Sequence, residues 1–157
     1  MKVEQAADEF LSSRRIAVTG VSRAPKGHGS NTVYTGLKKR GYEVFAVNPN
    51  AELVEGDPSY PDLRSIPGGV EAVVIATRPD LADATVREAI DLGIKRVWMH
   101  RSIDAGSVSA TAAANGRAHG QLVIDGGCPL MFGDGADGAH KVMCFFLKFN
   151  GKVPRTV

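Results

Sequence analysis

The stretch IAVTGVSRAPKGHGSNTVYTGLKKRGYEVFAVNPN, residues 16–50, contains the pattern from which the fold class is predicted. An apolar run ends at Gly20, a loop rich in glycine and serine follows, and a segment of helical period leads to a second apolar run at 43–47. This order is typical of a strand, a crossing helix and a second, parallel strand. The stretch therefore predicts a parallel sheet with Gly20 at its carboxyl edge, where such sheets bind their ligands.

The same alternation continues along the chain. Further strands are predicted at 70–76, 96–100 and 121–125, with one helix from Pro79 to a stop at Gly93 and another over 104–115 to a stop at Gly116. In the first unit, Ser30 or Asn31 is expected to cap a helix that runs to about residue 40. The proline-rich connection after residue 50 is expected to hold about one helical turn, near 62–65. The pattern predicts an α/β, Rossmann-like, doubly wound, mainly parallel five-stranded sheet with helices on both faces.

The chain length predicts one domain. Its 157 residues are enough for a single hydrophobic core, expected over about 14–132. An amphipathic helix at 3–12 precedes this core, and a tail at 133–157, with the apolar segment VMCFFLKF, follows it. We expect that segment either to cover the last edge of the sheet or to pack against a second copy of the chain.

Charge and composition exclude several partner classes. The formal net charge is +2, and the longest basic run is the three residues 38–40, so no nucleic-acid partner is expected. No segment approaches the roughly 20 apolar residues of a membrane span, so no membrane is expected either. Two cysteines and no secretory leader predict a reduced, cytoplasmic protein.

The loop after Gly20 has the features of a phosphate site. Gly20 permits a tight turn, and the free N–H groups of the helix start at Ser30 and Asn31 attract anions. Lys26 adds a full positive charge. The alternative is that any strand-to-helix turn favours glycine and serine. The Walker sequence GK[ST] does not occur, which argues against a nucleotide triphosphatase.

Asn48 and Pro49 follow the second strand, where NAD sites carry an acidic residue that holds the ribose hydroxyls. A carboxylate there would repel a ribose that carries an extra phosphate, whereas a neutral asparagine tolerates one. Proline can offer a flat apolar face to adenine. The alternative is that Asn-Pro only turns the chain.

Three segments in order resemble a known family: TGVSR…GSNTVYTGLKKRGYEVFAVNPN, VEAVVIATRPDLADATVREAIDLGIKRVWMH and VIDGGCPLMF. Together they are similar to the small stand-alone CoA-binding proteins and to the CoA-binding domain of the succinyl-CoA synthetase α subunit. The resemblance covers about residues 14–132. It implies a Rossmann-like domain that holds coenzyme A or an acyl-CoA, whose 3′-phosphorylated ribose suits a site without an acid at position 48.

The resemblance also implies which residues meet the ligand. Gly20, Val21 and Ser22 would lie against the pyrophosphate, and Lys26, Ser30 and Asn31 would form the phosphate end of the site. Asn48 and Pro49 would meet the adenosine, and Arg78 and Pro79 would flank the ligand after the third strand. The last two candidates, His100 and Cys128, follow the fourth and fifth strands.

Cys128 and His100 are the candidates for chemistry. A thiol near the ligand could form a mixed disulfide or accept an acyl group, but only with a lowered pKa. The alternative for Cys128 is plain packing before a turn. His100 could act as an acid or base, or could bond a neighbouring backbone group. The four histidines show no metal-ligand spacing, so no metal is expected.

The residues therefore predict a non-catalytic CoA or acyl-CoA binding protein, a carrier or a regulatory sensor. One alternative is an NADP-dependent oxidoreductase, although little chain remains for a substrate domain. A second alternative is a partner-binding module whose nucleotide site is vestigial. A homodimer or an unidentified protein partner remains open in each case.

Overall fold

The structure, a computed structural model, describes residues 1–24, 28–102 and 106–157. Within these ranges the strands are β1 Arg15–Thr19, β2 Glu43–Val47, β3 Leu53–Val54, β4 Asp57–Tyr60, β5 Ala72–Ile75, β6 Arg96–Met99 and β7 Leu122–Asp125. The helices are α1 Val3–Leu11, α2 Gly29–Lys39, α3 Pro79–Asp91, α4 Ala110–Ala118 and α5 Gly138–Phe149, with a 3-10 turn at Pro129–Met131 before α5.

The strands form one sheet in the order β3-β4-β2-β1-β5-β6-β7. Every neighbouring pair is parallel except β3 and β4, which form an antiparallel hairpin. The chain runs outward from β1 to β2 and the hairpin, and then returns to place β5 on the other side of β1. The order therefore reverses between β1 and β5, and their carboxyl ends form the switch point where doubly wound sheets bind ligands. The predicted fold class is confirmed.

Helices cover both faces of the sheet because successive residues of a buried strand point to opposite sides. Ile16 and Val18 pack with α1, α2 and α5 on one face. Ala17, between them, packs with α3 and α4 on the other face. No helix in the described part of the chain has the length and apolar character to cross a membrane.

The connection after β2 differs from the prediction. The five predicted strands are present, but residues 53–60 add the hairpin of β3 and β4, which the sequence analysis missed. Its two-residue loop, Glu55 and Gly56, has φ angles of 52° and 78°, the left-handed conformation of a tight hairpin turn. Where a helical turn was expected at 62–65, the chain makes a single hydrogen-bonded turn that does not continue into a helix: Ile66 N donates to Leu63 O at 3.3 Å, and the Asp62 carboxylate accepts hydrogen bonds from the backbone and hydroxyl of Ser65.

Two helix boundaries were predicted wrongly. Helix α2 begins at Gly29 with His28 as its N-cap residue, so neither Ser30 nor Asn31 caps it. Helix α4 begins at Ala110, after Ser109 accepts a hydrogen bond from Ala112 N, because residues 106–109 form a turn and an extended cap. Its predicted first residue, 104, lies outside the described residues. Gly116, the predicted stop, lies inside α4.

The tail folds as a helix rather than as an irregular loop. Asp137 caps α5 by accepting a hydrogen bond from His140 N at 2.8 Å. The buried side of α5, with Cys144 and Leu147, joins the core on one face of the sheet. The Lys148 ammonium also pairs with the Glu4 carboxylate of α1. The apolar segment VMCFFLKF therefore packs on one face of the sheet through α5, which differs from the expectation that it covers the last edge.

Candidate functional site

Two clefts meet at the carboxyl ends of β1 and β5. The polar cleft, about 220 Å³, is lined by Gly20, His28, Gly29, Ser30, Ala76, Thr77, Arg78, His100, Gly106 and Ser107. The apolar cleft, about 350 Å³, is lined by Thr19, Gly20, Val47, Asn48, Pro49, Asn50, Pro61, Asp62, Leu63, Thr77, Leu81, Ala84, Thr85 and Glu88. Gly20 and Thr77 line both, so the two clefts adjoin where the strand order reverses.

Gly20 brings the loops after β1 and β5 into contact. Its φ of +74° belongs to the left-handed region, and a Cβ at this position would lie 2.7 Å from the Ala76 carbonyl oxygen. No other residue fits both constraints. The Thr19 hydroxyl accepts a hydrogen bond from Ala76 N at 3.1 Å beside it. The floor of the site is therefore made of backbone that lies close enough to contact a ligand directly.

The Asn31 side chain supports the loop after β1. Its Oδ1 accepts from Ser22 N at 2.8 Å, and its Nδ2 donates to Ser22 O at 2.8 Å and to Glu55 Oε1 at 2.9 Å. The residue is 3% exposed. These bonds lie within the protein, so Asn31 positions the loop through its side chain. The hairpin missed by the sequence analysis supplies one of the three partners.

The Asn48 side chain supports the same loop from β2. Its Nδ2 donates to Val21 O and its Oδ1 accepts from Asn50 N, both at 2.8 Å. An ionised aspartate cannot donate to the Val21 carbonyl. The structure thus gives a second reason for an amide at position 48, besides the ligand argument made from the sequence. Asn48 and Pro49 both line the apolar cleft.

The start of α2 forms one wall of the polar cleft. No side chain caps this end of the helix, and Ser30 is buried in its first turn. A Cβ at Gly29 would lie 3.3 Å from His100 Cε1, so the loop after β6 approaches the helix closely. The described lining contains no carboxylate, and it contains the exposed Arg78. The polar cleft therefore favours an anionic group. Lys26, predicted to bind phosphate, lies outside the described residues.

Thr77 is a site residue that the sequence analysis missed. Its Oγ1 is buried and has no hydrogen-bond partner among the described residues. The sequence signal was a hydroxyl directly after the third predicted strand, between the strand and the Arg78-Pro79 pair. Arg78 caps α3 and donates to Asp80 at 3.0 Å, and Pro79 is the first helical residue. Thr77 lines both clefts, so a turn of its side chain about χ1 would present this hydroxyl to a ligand at their junction.

Cys128 does not line either cleft. It is 6% exposed and packs in the core with Leu130 and Phe132. Burial raises the pKa of its thiol to about 11, so the group is protonated at neutral pH. Burial likewise raises the pKa of Cys144. The described residues contain no group of three or more histidine, cysteine or acidic side chains placed to hold a metal ion.

The amino-acid sequence of the chain matches a known protein family. A family model described as "CoA binding domain" matches residues 14–134. The α subunit of an ADP-forming acetate–CoA ligase II from Pyrococcus furiosus is 35% identical over 91 residues, 57% of this chain and 20% of the subunit. The uncharacterized protein YneT of Bacillus subtilis is 26% identical over 91 residues, 58% of this chain and 67% of that protein.

Solved structures agree in fold. A hypothetical protein from Pyrococcus horikoshii superposes with a TM-score of 0.74 and 28% identity, over 82% of this chain and 87% of that chain. The chain spans about a fifth of the length of the Pyrococcus ligase subunit. The matched part of that subunit is therefore one portion of a longer protein.

Proposed function

Because the chain belongs to the family of CoA-binding domains, we propose that it binds coenzyme A or acyl-CoA through the loop after β1. We further propose that it acts as a non-catalytic carrier or regulatory sensor. The ligand has a polyanionic part and a flat, largely apolar base, and a binding site for it needs both kinds of surface side by side.

The observation that carries this proposal is the pair of adjoining clefts. The polar cleft has an uncapped helix start and no described carboxylate, and it suits the pyrophosphate. The apolar cleft has Pro49, Leu63 and Leu81 in its walls, and it suits the adenine ring. Its volume of about 350 Å³ lies in the range of small-molecule sites. Gly20 and Thr77 lie at the junction, where the phosphates join the nucleoside.

The roles proposed for single residues follow this division. Gly20 lies against the pyrophosphate. Val21 is fully buried and Ser22 lines neither cleft, so these two residues shape the loop through the bonds of their backbone to Asn48 and Asn31. Ser30 and the Thr77 hydroxyl add polar contacts. Lys26 binds a phosphate by its charge, with the 3′-phosphate as its proposed partner. The buried, protonated Cys128 supports a role in binding rather than in acyl transfer.

The direct test is calorimetric titration of CoA, dephospho-CoA, acetyl-CoA and NADP into the reduced protein. We expect CoA to bind in the micromolar range and dephospho-CoA to bind more weakly, since it lacks the 3′-phosphate. Equal affinity for CoA and acetyl-CoA would favour a carrier of both forms. Tight NADP binding without CoA binding would refute the proposal and favour an oxidoreductase, and no binding of any ligand would favour a module that recognises a protein partner.

A matched pair of variants tests the location. Ser22→Tyr places a ring in the loop after β1, and we expect it to abolish CoA binding while the chain stays folded. Ala118→Tyr adds the same ring at an exposed position in the last turn of α4, and it should bind CoA normally. Unchanged affinity in a folded Ser22→Tyr variant would remove this loop from the site.

A third variant tests the contact proposed for Lys26. Lys26→Ala should weaken the binding of CoA more than the binding of dephospho-CoA, and equal losses of affinity would refute the assignment of Lys26 to the 3′-phosphate.

A further inference from the structure

Helix α5 has two apolar sides, and only one of them is buried. Cys144 and Leu147 face the core. On the other side, Val142, Phe145, Phe146 and Phe149 are 58%, 68%, 61% and 82% exposed. These four make up half of the large apolar side chains that are exposed in the described part of the chain. Since exposed apolar groups of this size rarely cluster on a monomer, the stripe marks an interaction surface.

The spacing of the stripe matches a helix–helix contact. Positions 142, 145, 146 and 149 recur every three or four residues and form one continuous line along α5. Phe145 and Phe146 already pack edge to face, with ring centroids 5.7 Å apart. Beside the stripe, a groove of about 330 Å³ lies between α1 and α5, with Met131, Phe132 and Cys144 in its walls. The same surface therefore carries projecting rings and a groove able to receive one, as self-association across a two-fold axis requires.

The charges at the two ends of α5 specify the direction of pairing. Asp134 and Asp137 lie before its first turn, with Lys141 one turn further on, whereas Lys148 and Lys152 lie in and after its last turn, and Lys148 also pairs with Glu4 of its own chain. In a parallel pair the two acidic ends would lie side by side, and so would the two basic ends. An antiparallel pair places the acidic end of one helix beside the basic end of the other, and it also opposes the two helix dipoles. The end charges and the helix dipoles therefore favour the antiparallel arrangement.

The area is sufficient for a specific contact. An aromatic side chain buries roughly 150–250 Å², so the stripe offers on the order of 500 Å² of apolar surface per copy. A standard interface buries roughly 800 Å² per partner, of which the apolar centre is a part. The polar ends of α5 and the rim of the groove would supply the remainder.

We propose that the chain forms a two-fold symmetric homodimer by antiparallel packing of α5 against α5 of a second copy. The stripe centre lies between Phe145 and Phe146, so residue 142 of one copy lies opposite residue 149 of the other. Lys141 then lies beside the partner's Asn150. This pairing leaves the polar and apolar clefts open, because neither cleft is lined by a residue of α5.

The test is sedimentation equilibrium across the micromolar range, where we expect a monomer–dimer equilibrium. Phe146→Glu should weaken the dimer about 30-fold or more, as expected for a central aromatic residue of an interface. Since Phe146 is 61% exposed, this variant should keep its fold. Leu53→Glu, at a 62% exposed position on β3, is the matched control and should leave the dimer intact.

A second pair of variants tests the antiparallel direction. Asn150→Glu should tighten the dimer a few-fold by pairing with Lys141 of the partner, and Asn150→Lys should weaken it by a similar factor. Within one chain these positions are nine residues apart, about 13 Å along the helix, so neither change makes an internal pair with Lys141. A wild-type chain that sediments as a monomer throughout overturns the proposal, and binding of that monomer to anionic phospholipid vesicles would identify a membrane surface as the occupant. A dimer that Phe146→Glu does not affect overturns it equally.

Discussion

The loops after β1 and β7 begin alike and differ in what they expose. Each leaves the carboxyl edge of the sheet through a glycine, and each leads to a helical segment on the same face. After β1, the buried amide of Asn31 and the half-buried amide of Asn48 hold the backbone, while the neighbouring clefts stay open. After β7, residues 128–132 are buried in the core, and the Arg40 guanidinium donates to Leu130 O and Phe132 O at 2.6 and 3.0 Å.

The comparison shows that a position at the carboxyl edge of the sheet is not enough to make a loop a ligand site. Both loops satisfy the rule that ligands bind beyond the strand ends. At the switch point the neighbouring loops diverge and leave the polar and apolar clefts. Residues 128–132, directly after β7, are buried in the core, so Cys128 is part of the packing. The space beside this second loop, a cleft of about 840 Å³ with Leu130, Gly133 and Asp134 in its wall, lies against α1 and α2, and its lining does not include Cys128.

The largest loss of stability is expected at Gly20, where the loop after β1 lies in close contact with Ala76 after β5. Gly20→Ala combines a strained φ with a Cβ 2.7 Å from the Ala76 carbonyl, and we expect it to lower the free energy of unfolding by about 3 kcal/mol and to abolish CoA binding. Gly93→Ala is the matched control, because Gly93 has nearly the same φ, +72°, and no atom within 4 Å of the added Cβ. It should cost about 1 kcal/mol, from strain alone. Equal losses in urea unfolding would show that the Ala76 contact is not tight.

The close packing of the loop after β7 is tested through the pH dependence of stability, because this loop contains Cys128. The thiol of Cys128 has a pKa of about 11 in the folded chain against its ordinary 9.0, so the unfolded chain loses this proton first as pH rises. The stability linked to this group is therefore complete below pH 9 and declines between pH 9 and 11, by about 2–3 kcal/mol.

Cys128→Ala isolates this contribution. Burial also raises the pKa of Tyr34 and Cys144, but both contribute equally to the two proteins and cancel in the difference. We expect the gap in unfolding free energy between wild type and Cys128→Ala to narrow as pH rises from 8 to 11. A difference in unfolding free energy that stays constant with pH would show that folding does not raise the pKa of Cys128. Rapid alkylation of Cys128 in the folded chain at neutral pH would show that its thiol is accessible. Either result would mean that the loop after β7 is as open as the loop after β1.

The third prediction concerns the buried amide that supports the first loop. Asn31→Ala leaves the N–H and the carbonyl of Ser22 without their partners, so we expect a loss of about 2 kcal/mol in unfolding free energy and at least 10-fold weaker CoA binding. Asn31→Asp keeps the acceptor for Ser22 N but faces Ser22 O and the Glu55 carboxylate, so it should be no better. Asn150→Ala, at an exposed position, should change stability by less than about 0.5 kcal/mol. Normal binding by Asn31→Ala would show that the loop does not need this support.

How far the sequence predicts the molecule depends on the range of the interactions. The five predicted strands, α2 and α3 were predictable, because their apolar periods are interrupted by glycine or proline, and α1 was predictable from its amphipathic period. The hairpin was missed because β3 has only two residues, and its signal was the Glu55-Gly56 turn. Helix α5 was missed because apolar residues on both its sides hide the helical period. The stop at Gly116 was wrong because that glycine serves packing: a Cβ there would lie 2.8 Å from Val123 Cγ2.

The candidate site was predictable by position and less so by role. Gly20, Asn48 and Pro49 follow strands, and topology alone brings them to the clefts. The internal bonds of Asn31 and Asn48 depend on tertiary contacts with Glu55 and Val21, which no local pattern contains. The burial of Cys128 depends in the same way on how the last loop folds back onto α2. Thr77 was missed because its only sequence signal, a hydroxyl directly after a predicted strand, is weak until that hydroxyl is seen to lack a partner.

The last prediction, Thr77→Val, separates binding from folding, because this change should weaken CoA binding without lowering stability. Thr77→Val removes a buried hydroxyl that has no partner among the described residues, so the free energy of unfolding should stay the same or rise, because an unpartnered buried hydroxyl costs stability. CoA should nevertheless bind about 5- to 10-fold more weakly, since the lost group would bond the ligand. Thr35→Val gives the opposite pattern: its hydroxyl donates to Asn31 O at 2.9 Å, so this variant should lose about 1 kcal/mol of stability and little affinity. If Thr77→Val binds CoA as tightly as wild type, the junction of the two clefts does not contact the ligand, and the difference between the two loops is one of packing only.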